Sequence, residues 1–249
     1  MIRRLIILLL IVGCEEETKH DVQGGIAITF DDRNINNWYS YRNYYWENNI
    51  KSTFFLSQIH EYTNDEINML IELKNDGHEL GYHGTHHINA NDYLQNHTVQ
   101  NYLDYEIFPD LDICDSIFGY PTSFAYPYGV RNNSLDSALS NYFQILRSTA
   151  YGNLAPNNNI KELDKIFVNI SEINTLVYGV GIDSIYNNSI NSIQEGINRA
   201  YANDEIIILY LHNIDGNESY HINFEVFDQI IYYVRKLNMP FLTISGINQ

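Results

Sequence analysis

Basic side chains are scarce in this chain of 249 residues. Lysine and arginine together number 14, aspartate and glutamate number 31, and the formal net charge is -17. Because so acidic a protein repels the phosphates of a nucleic acid, we predict no nucleic-acid partner. Neutral or cationic glycans are more compatible ligands.

Cysteine is nearly absent, since Cys14 and Cys114 are the only two. If Cys14 carries a modification, Cys114 is left without a partner and an intramolecular disulfide is excluded. We therefore predict that Cys114 is a buried apolar side chain.

The amino terminus lacks a hydrophobic run long enough to span a bilayer. Its apolar run, Leu5 to Val12, follows Arg3-Arg4 and precedes Cys14. This order is typical of a signal peptide rather than of a transmembrane helix. Residues 1–14 are therefore predicted to be a signal, and residues 15–23 a short tether.

The four residues Ile11-Val12-Gly13-Cys14 resemble a bacterial lipobox. The resemblance implies cleavage before Cys14, lipidation of its thiol, and a lipoprotein anchored to a bacterial membrane in the cell envelope, outside the cytoplasm. An ordinary secretion signal with an incidental cysteine is the alternative, because short motifs also arise by chance.

Residues 24–249 alternate short β-rich runs with helical patterns, which is the order of parallel βαβ units in one large domain. The best-marked helix lies between two of the strands, where Thr63 and Glu66 have capping-box spacing and Gly77 can end it. The predicted strands are Ile26–Phe30, Ser52–Leu56, Glu79–His83, Ser123–Tyr126, Gln144–Ser148, Ile206–Leu211 and Phe241–Ile244.

Polar residues follow four of these strands. They are Asp31-Asp32, His83, the segment Tyr126 to Gly129, and His212. In a parallel barrel the carboxyl ends of the strands form one face, where catalytic groups gather on variable loops. Each motif alone is explained by a turn, a cap or a buried hydrogen bond. The four together predict an active site at this face.

The first two motifs contain the ligands of a divalent metal. They supply a carboxylate and two imidazoles, and one of Asp31 and Asp32 is left for chemistry. Three protein ligands with an open position are typical of a catalytic metal. His83 and His87 share one side of a helical turn, and His86 is the alternative to His87. Mixed nitrogen and oxygen ligands favour zinc, with cobalt, nickel, manganese or iron as alternatives.

The motifs resemble those of the polysaccharide deacetylase family, the carbohydrate esterases with a NodB homology domain. The resemblance spans about Gly25 to Ser245 and rests on Thr29-Phe30-Asp31-Asp32, His83 to His87, Phe124 to Gly129, and Leu209 to His212. It implies an α/β fold, a distorted (β/α) barrel with fewer than eight complete units.

The resemblance also implies catalytic roles. Asp31 is expected to be the base and His212 the general acid, while the backbone N–H of Tyr128 holds the oxyanion. The side chains expected to contact the substrate are Tyr126, Leu209 and Leu211.

The same resemblance assigns the metal ligands to Asp32, His83 and His87, because the family spacing favours His87 over His86. The cofactor expected is a divalent metal, with zinc preferred.

Three features depart from the family pattern. Gly84 follows His83 where most relatives have Ser or Thr, and Ala125 replaces an arginine that usually holds the base. We also find no Asp-x-x-Asp-Trp-like motif to orient His212. Arg147 either supplies the missing cation or is a surface charge.

The function expected is metal-dependent removal of N-acetyl, or alternatively O-acetyl, groups from a polysaccharide or oligosaccharide outside the cytoplasm. One alternative is hydrolysis of a non-sugar amide on the same fold. Another is a lipid-anchored glycan-binding protein that lacks the chemistry. The partners expected are an acetylated glycan and the membrane, and no protein partner is predicted.

The lipobox leads to a test of location. We expect the mature protein to partition with membranes and Cys14→Ser to release or mislocalise it, because the expected lipid is carried by Cys14. One acyl chain binds a membrane only marginally, so more than one chain is implied. Membrane and soluble fractions are compared by immunoblot. Equal membrane recovery of the wild type and Cys14→Ser would remove the lipoprotein interpretation.

Overall fold

Seven parallel strands close into a barrel in the computed structural model, which describes residues 24–151, 159–172 and 174–248. The predicted signal, Cys14 and the tether lie outside the described residues. The strands of the described part are β1 (Gly25–Asp32), β2 (Ser52–Leu56), β3 (Glu79–Tyr82), β4 (Ser123–Ala125), β5 (Ile145–Ala150), β6 (Phe167–Asn169), β7 (Leu176–Gly181), β8 (Glu205–Leu211) and β9 (Phe241–Leu242).

The barrel runs in the order β1-β2-β3-β4-β5-β7-β8 and closes by pairing β8 with β1. Strand β6 is antiparallel and pairs with the first half of β8, and β9 extends the sheet beside β1. This is a distorted (β/α) barrel with fewer than eight complete units, so the predicted fold class is confirmed.

Helices cover the outside of the barrel. The described ones are α1 (Ile35–Ser40), α2 (Arg42–Glu47), α3 (Asn64–Asn75), α4 (Ala90–Tyr93), α5 (Val99–Tyr102), α6 (Phe108–Phe118), α7 (Asn133–Leu139), α8 (Ile190–Asn203) and α9 (Phe224–Lys236). A π-helical turn, Leu103–Ile107, joins α5 to α6. Short 3-10 turns are Ile59–Glu61, Pro127–Gly129, Ile160–Glu162, Asp164–Ile166, Ser184–Tyr186 and Ser245–Asn248.

The best-marked helix of the sequence is α3. Thr63 is its N-cap, and its hydroxyl accepts the N–H of Glu66 while the Glu66 carboxylate accepts the N–H of Thr63. Gly77 follows the helix with φ of 92°, in the left-handed region that glycine enters without strain. The structure therefore confirms the predicted capping box and the predicted end of the helix at Gly77.

Two hydrophobic layers follow from the alternation of side chains along each strand. Ile28 and Phe30 of β1 face outward and pack against the helices. Ala27, the residue before Ile28, faces the barrel interior together with Ala125 and Ile208. The parity of a residue along its strand therefore decides whether it can reach the interior of the barrel.

Pairing is weakest between β3 and β4, where one residue pair, Tyr82 with Phe124, joins the strands. By contrast, β1 pairs with β8 over six positions, from Gly25 with Ile206 to Phe30 with Leu211. The barrel is therefore unevenly held along its circumference.

The sequence patterns did not predict β6 and β7. Both lie in the asparagine-rich stretch from Tyr151 to Asn188, and β7 contains Gly179 and Gly181, which weaken a strand pattern. Residues 152–158 of that stretch lie outside the described part of the chain.

Cys114 is buried, as predicted from its lack of a partner. Within the described residues, no helix has the length and apolar character that crossing a bilayer requires.

The outer core yields a stability prediction. The ring of Phe30 is fully buried, stacks on Phe54 at 5.0 Å, and lies 6.3 Å from Trp38. We expect Phe30→Ala to lower the free energy of unfolding by about 3–5 kcal/mol, because a cavity replaces the ring. Urea denaturation measures this. Tyr232→Ala is the control, since Tyr232 is 67% exposed, and an equal loss in both variants would contradict the proposed packing.

Candidate active site

The polar residues predicted from the sequence meet at the carboxyl edge of the barrel. Asp31 and Asp32 end β1, His83 follows β3, and His212 follows β8. Asp31 shares the parity of Ala27 and points into the barrel, where it is 4% exposed. These strand ends therefore form one site, although their residues are far apart in sequence.

Three side chains form a cluster that can hold a metal ion. One ligand atom from each of Asp32, His83 and His87 lies within 4.8 Å of the others. Asp32 Oδ1 is 3.5 Å from Nε2 of His83 and 3.1 Å from Nε2 of His87. Ligands at about 2.1 Å around a tetrahedral zinc are separated by about 3.4 Å, so the spacing fits.

The donor chemistry fits a metal as well. Asp32 Oδ1 is buried and has no hydrogen-bond partner among the described residues. The Nδ1–H of His83 donates to the carbonyl of Ala125 at 2.7 Å, which leaves Nε2 of the neutral ring free to bind an ion. A buried carboxylate oxygen without a partner is costly unless a cation completes it.

The backbone turns two of these residues toward the site. Asp32 has φ of 84° and His87 has φ of 55°, both in the left-handed region that non-glycine residues rarely adopt. At Asp32 this turn directs the side chain away from that of Asp31, so the two adjacent carboxylates have different neighbours. Such strain is retained at functional sites when the surroundings enforce it.

The imidazoles change the charge state of the cluster. Burial alone raises the pKa of Asp32, but His83 and His87 outweigh burial and hold that pKa well below its usual range. Burial dominates at His83 and lowers its pKa, despite the nearby carboxylates. An ionised Asp32 beside a neutral His83 is the ligand state that a divalent metal requires.

Arg147 is the cation that pairs with Asp31. It lies on β5 with no exposed surface, and its Nη2 donates to Asp31 Oδ1. Its guanidinium is 5.0 Å from the ring centroid of Phe55 and 5.2 Å from that of Tyr210. Arg147 is therefore a buried partner of Asp31 rather than a surface charge, and it reaches Asp31 from β5, whereas Ala125 lies on β4.

His212 is oriented by a buried carboxylate, Asp183. The Nδ1–H of His212 donates to Asp183 Oδ2 at 2.7 Å, and its backbone N–H donates to Oδ1 at 3.1 Å. Burial opposes the imidazolium charge, but Asp183 outweighs burial and raises the pKa of His212 to about 9. His212 is therefore protonated at neutral pH, with Nε2 turned toward Asp32 at 3.8 Å.

Sequence reasoning missed Asp183. It lies two residues beyond β7, a strand that the asparagine-rich stretch concealed. The signal available was its place after the glycine-rich run Leu176 to Gly181, the position at which polar site residues follow the other strands.

Tyr128 lies beside the metal ligands. Its φ is 58°, its ring is 4.7 Å from that of His87, and it is 56% exposed. No acceptor within the described residues takes its backbone N–H. That N–H is therefore free to bind an oxyanion, and this role stays a prediction.

The three residues expected to contact substrate are placed elsewhere. Tyr126, Leu209 and Leu211 have no exposed surface and pack in the outer layer against the helices. Alternation along β8 instead turns Tyr210 into the barrel beside Arg147. The side chains of Tyr126, Leu209 and Leu211 therefore do not reach the site, and their expected contact with the substrate is corrected.

His86, the alternative ligand, does not join the cluster. Its exposed ring stacks on Tyr105 with centroids 4.1 Å apart, and its Nδ1–H donates to the Tyr105 carbonyl at 3.1 Å. The arrangement agrees with the family spacing, which favours His87.

The sequence profile of a known family matches more than half of the chain. The profile is that of the polysaccharide deacetylases, and it matches residues 18–143. The chain belongs to the polysaccharide deacetylase family. The match includes Asp31, Asp32, His83 and His87, whereas Arg147, Asp183 and His212 lie beyond it.

Solved structures are similar to the chain over most of its length. The chitin deacetylase of the fungal pathogen Colletotrichum lindemuthianum is 14% identical, covers 91% of this chain and 88% of its own, and has a TM-score of 0.61. The peptidoglycan deacetylase PdaC of Bacillus subtilis is 19% identical, with 90% of both chains covered and a TM-score of 0.54.

A family 4 carbohydrate esterase from Streptomyces lividans, solved with acetate, is 16% identical. The match covers 90% of this chain and 94% of the esterase, with a TM-score of 0.57. At these identities the likeness supports the shared fold. No curated protein matches the chain significantly.

The pair His212 and Asp183 leads to a prediction of pH dependence. The pKa of His212 is raised to about 9, so a general acid at this position would be present below that pH and lost as pH rises through it. Asp183→Asn removes the charge that raises this pKa, so we expect the alkaline limb of kcat to move to lower pH.

Initial rates of acetate release between pH 6 and about 10.5 measure this limb, a range that spans the free and shifted imidazole. The control is Asp136→Asn, because Asp136 pairs with Arg131 and the Tyr126 hydroxyl rather than with His212. An unchanged alkaline limb in Asp183→Asn would contradict the assignment of His212 as general acid.

Proposed function

We propose that the protein is a metal-dependent hydrolase that removes acetyl groups from an N-acetylated carbohydrate outside the cytoplasm. One observation carries the proposal: a carboxylate and two imidazoles converge beside a separate, arginine-paired carboxylate. Family membership supports deacetylation of a polysaccharide. Zinc is the ion that the mixed donor set favours.

A divalent ion held by Asp32, His83 and His87 would lower the pKa of water and polarise the acetyl carbonyl. Asp31 accepts the proton of the attacking water, because it is buried beside the cluster but is not one of its ligands. Arg147 fixes the direction of the Asp31 carboxylate through its ion pair.

The remaining chain groups act on the oxyanion and the leaving group. The free N–H of Tyr128 stabilises the tetrahedral oxyanion as it forms. His212, held protonated by Asp183, gives its Nε2 proton to the departing amine. Acid and base therefore come from two neighbouring strands, β8 and β1, whose carboxyl ends lie side by side.

The arginine missing at Ala125 would favour the alternative of a glycan-binding protein without catalysis. Arg147 now pairs with Asp31, and this ion pair favours an enzyme over a glycan-binding protein. Export as a lipoprotein is proposed from the lipobox-like residues Ile11 to Cys14 alone.

The two adjacent aspartates provide a sharp test. Asp31→Asn should keep the metal but lose about 10²- to 10⁴-fold in turnover, the usual contribution of a general base. Asp32→Asn should lose metal, and excess zinc should partly restore activity, since an amide oxygen is a poorer ligand than a carboxylate. Metal content and acetate release from an acetylated chito-oligomer measure the two effects.

His86→Ala is the matched control, because His86 lies in the ligand loop but outside the cluster, and it should change neither quantity. Loss of metal in Asp31→Asn with retention in Asp32→Asn would reverse the role assignment. Zinc-loaded wild type that binds acetylated glycan without ever releasing acetate would support the binding-only alternative.

A further inference from the structure

One residue, Glu106, accepts three backbone N–H groups of the loop that carries His87. Its carbonyl accepts the N–H of Thr85 at 2.8 Å. Its carboxylate accepts the N–H of His86 at 2.8 Å through Oε2 and that of Ile88 at 3.1 Å through Oε1. The residues on both sides of His87 are therefore held by one side chain.

The Glu106 carboxylate lies in an unusual environment. It has no exposed surface, and within the described residues no lysine or arginine pairs with it. The exposed imidazole of His86 lies beside it, with Nδ1 3.6 Å away, but that Nδ1–H donates to the Tyr105 carbonyl instead. Loop amides are therefore its main stabilising partners, and burying a carboxylate for this purpose alone is costly.

Gly84 makes room for this carboxylate. A Cβ at Gly84 would lie 2.2 Å from Oε1 of Glu106, and the φ of Gly84 is 90°. The absence of a side chain at Gly84 and the presence of Glu106 are thus two parts of one arrangement.

The π-helical turn Leu103–Ile107 contacts the loop that carries His87 on two sides. The extra residue of such a turn changes the direction of successive side chains, and π-turns recur at functional sites. Tyr105 faces outward and stacks on His86 with an interplanar angle of 7°, whereas Glu106 faces inward beneath the loop.

We propose that Glu106 is a positioning residue for the metal centre, which sets His87 through the backbone of His86 and Ile88 without binding the ion itself. The inference rests on the proposed metal site of Asp32, His83 and His87. His87 holds a left-handed φ of 55° between the two anchored residues. Releasing those amides lets His87 relax, and its Nε2 moves away from Asp32.

The test measures zinc affinity rather than activity. The dissociation constant for zinc is determined by competition with a fluorescent chelator, and folding of the metal-free protein is followed by circular dichroism. We expect Glu106→Gln to weaken zinc binding about 10- to 100-fold, the usual effect of losing a group that orients a ligand. Glu106→Asp, which keeps a carboxyl group, should recover part of the loss.

Two controls match the change. Asp110→Asn alters an equally buried carboxylate of the next helical turn, whose side chain binds His60 rather than the loop. His86→Ala removes the stacked ring but keeps the backbone N–H that Glu106 accepts. Neither should change zinc affinity, and a loss in Asp110→Asn as large as that in Glu106→Gln would overturn the proposal.

A second background separates positioning from general damage. In His87→Ala, Glu106→Gln should have no further effect on zinc affinity, because the ligand through which Glu106 acts is gone. An undiminished loss in that background, or wild-type affinity in Glu106→Gln, would overturn the inference while leaving the metal site intact. If the wild type binds no divalent metal, the proposed function falls and this inference with it.

Discussion

The buried ion pair of Arg147 and Asp31 sets the shape of the barrel interior. Arg147 has no exposed surface, and its Nη2 donates to Asp31 Oδ1. The rings of Phe55 and Tyr210 cover the charge. Without these neighbours the cation could not lie beneath the site and orient Asp31.

This ion pair does not serve stability. Nε and Nη1 of Arg147 have no hydrogen-bond partner within the described residues. Burying a cation with unpaired donors costs free energy that one ion pair rarely offsets. What the ion pair does provide is a fixed direction for the Asp31 carboxylate, and Asp183 fixes the imidazole of His212 in the same way.

Much of this architecture could be read from local sequence. All seven predicted strands form, and α3 begins directly after its N-cap, Thr63, because Thr63 and Glu66 form a capping box within four residues. The polar groups at strand ends were also legible, since parallel strands bring their carboxyl ends together. The strands and the capping box depend on near neighbours in the chain, and the meeting of the strand ends follows from the parallel order of the strands.

The partners of the catalytic groups were not legible, because they come from distant strands. Arg147 is separated from Asp31 by 116 positions, and no local pattern distinguishes it from a surface arginine. Asp183 follows a strand hidden by glycine and asparagine. For Leu209 and Leu211, a motif match gave the segment, but the direction of a side chain depends on strand register, which a motif does not contain.

The seam between β3 and β4, joined by one residue pair, is where we expect the barrel to open locally. Local opening is easiest where few backbone hydrogen bonds must break, so this seam should exchange its amide protons first. The ring of His83 bridges the seam, with Nδ1 on Ala125 of β4 and Nε2 facing Asp32 of β1. Opening of the seam between β3 and β4 therefore separates His83 from Ala125. Conversely, a group that binds His83 in its present position also favours the closed barrel.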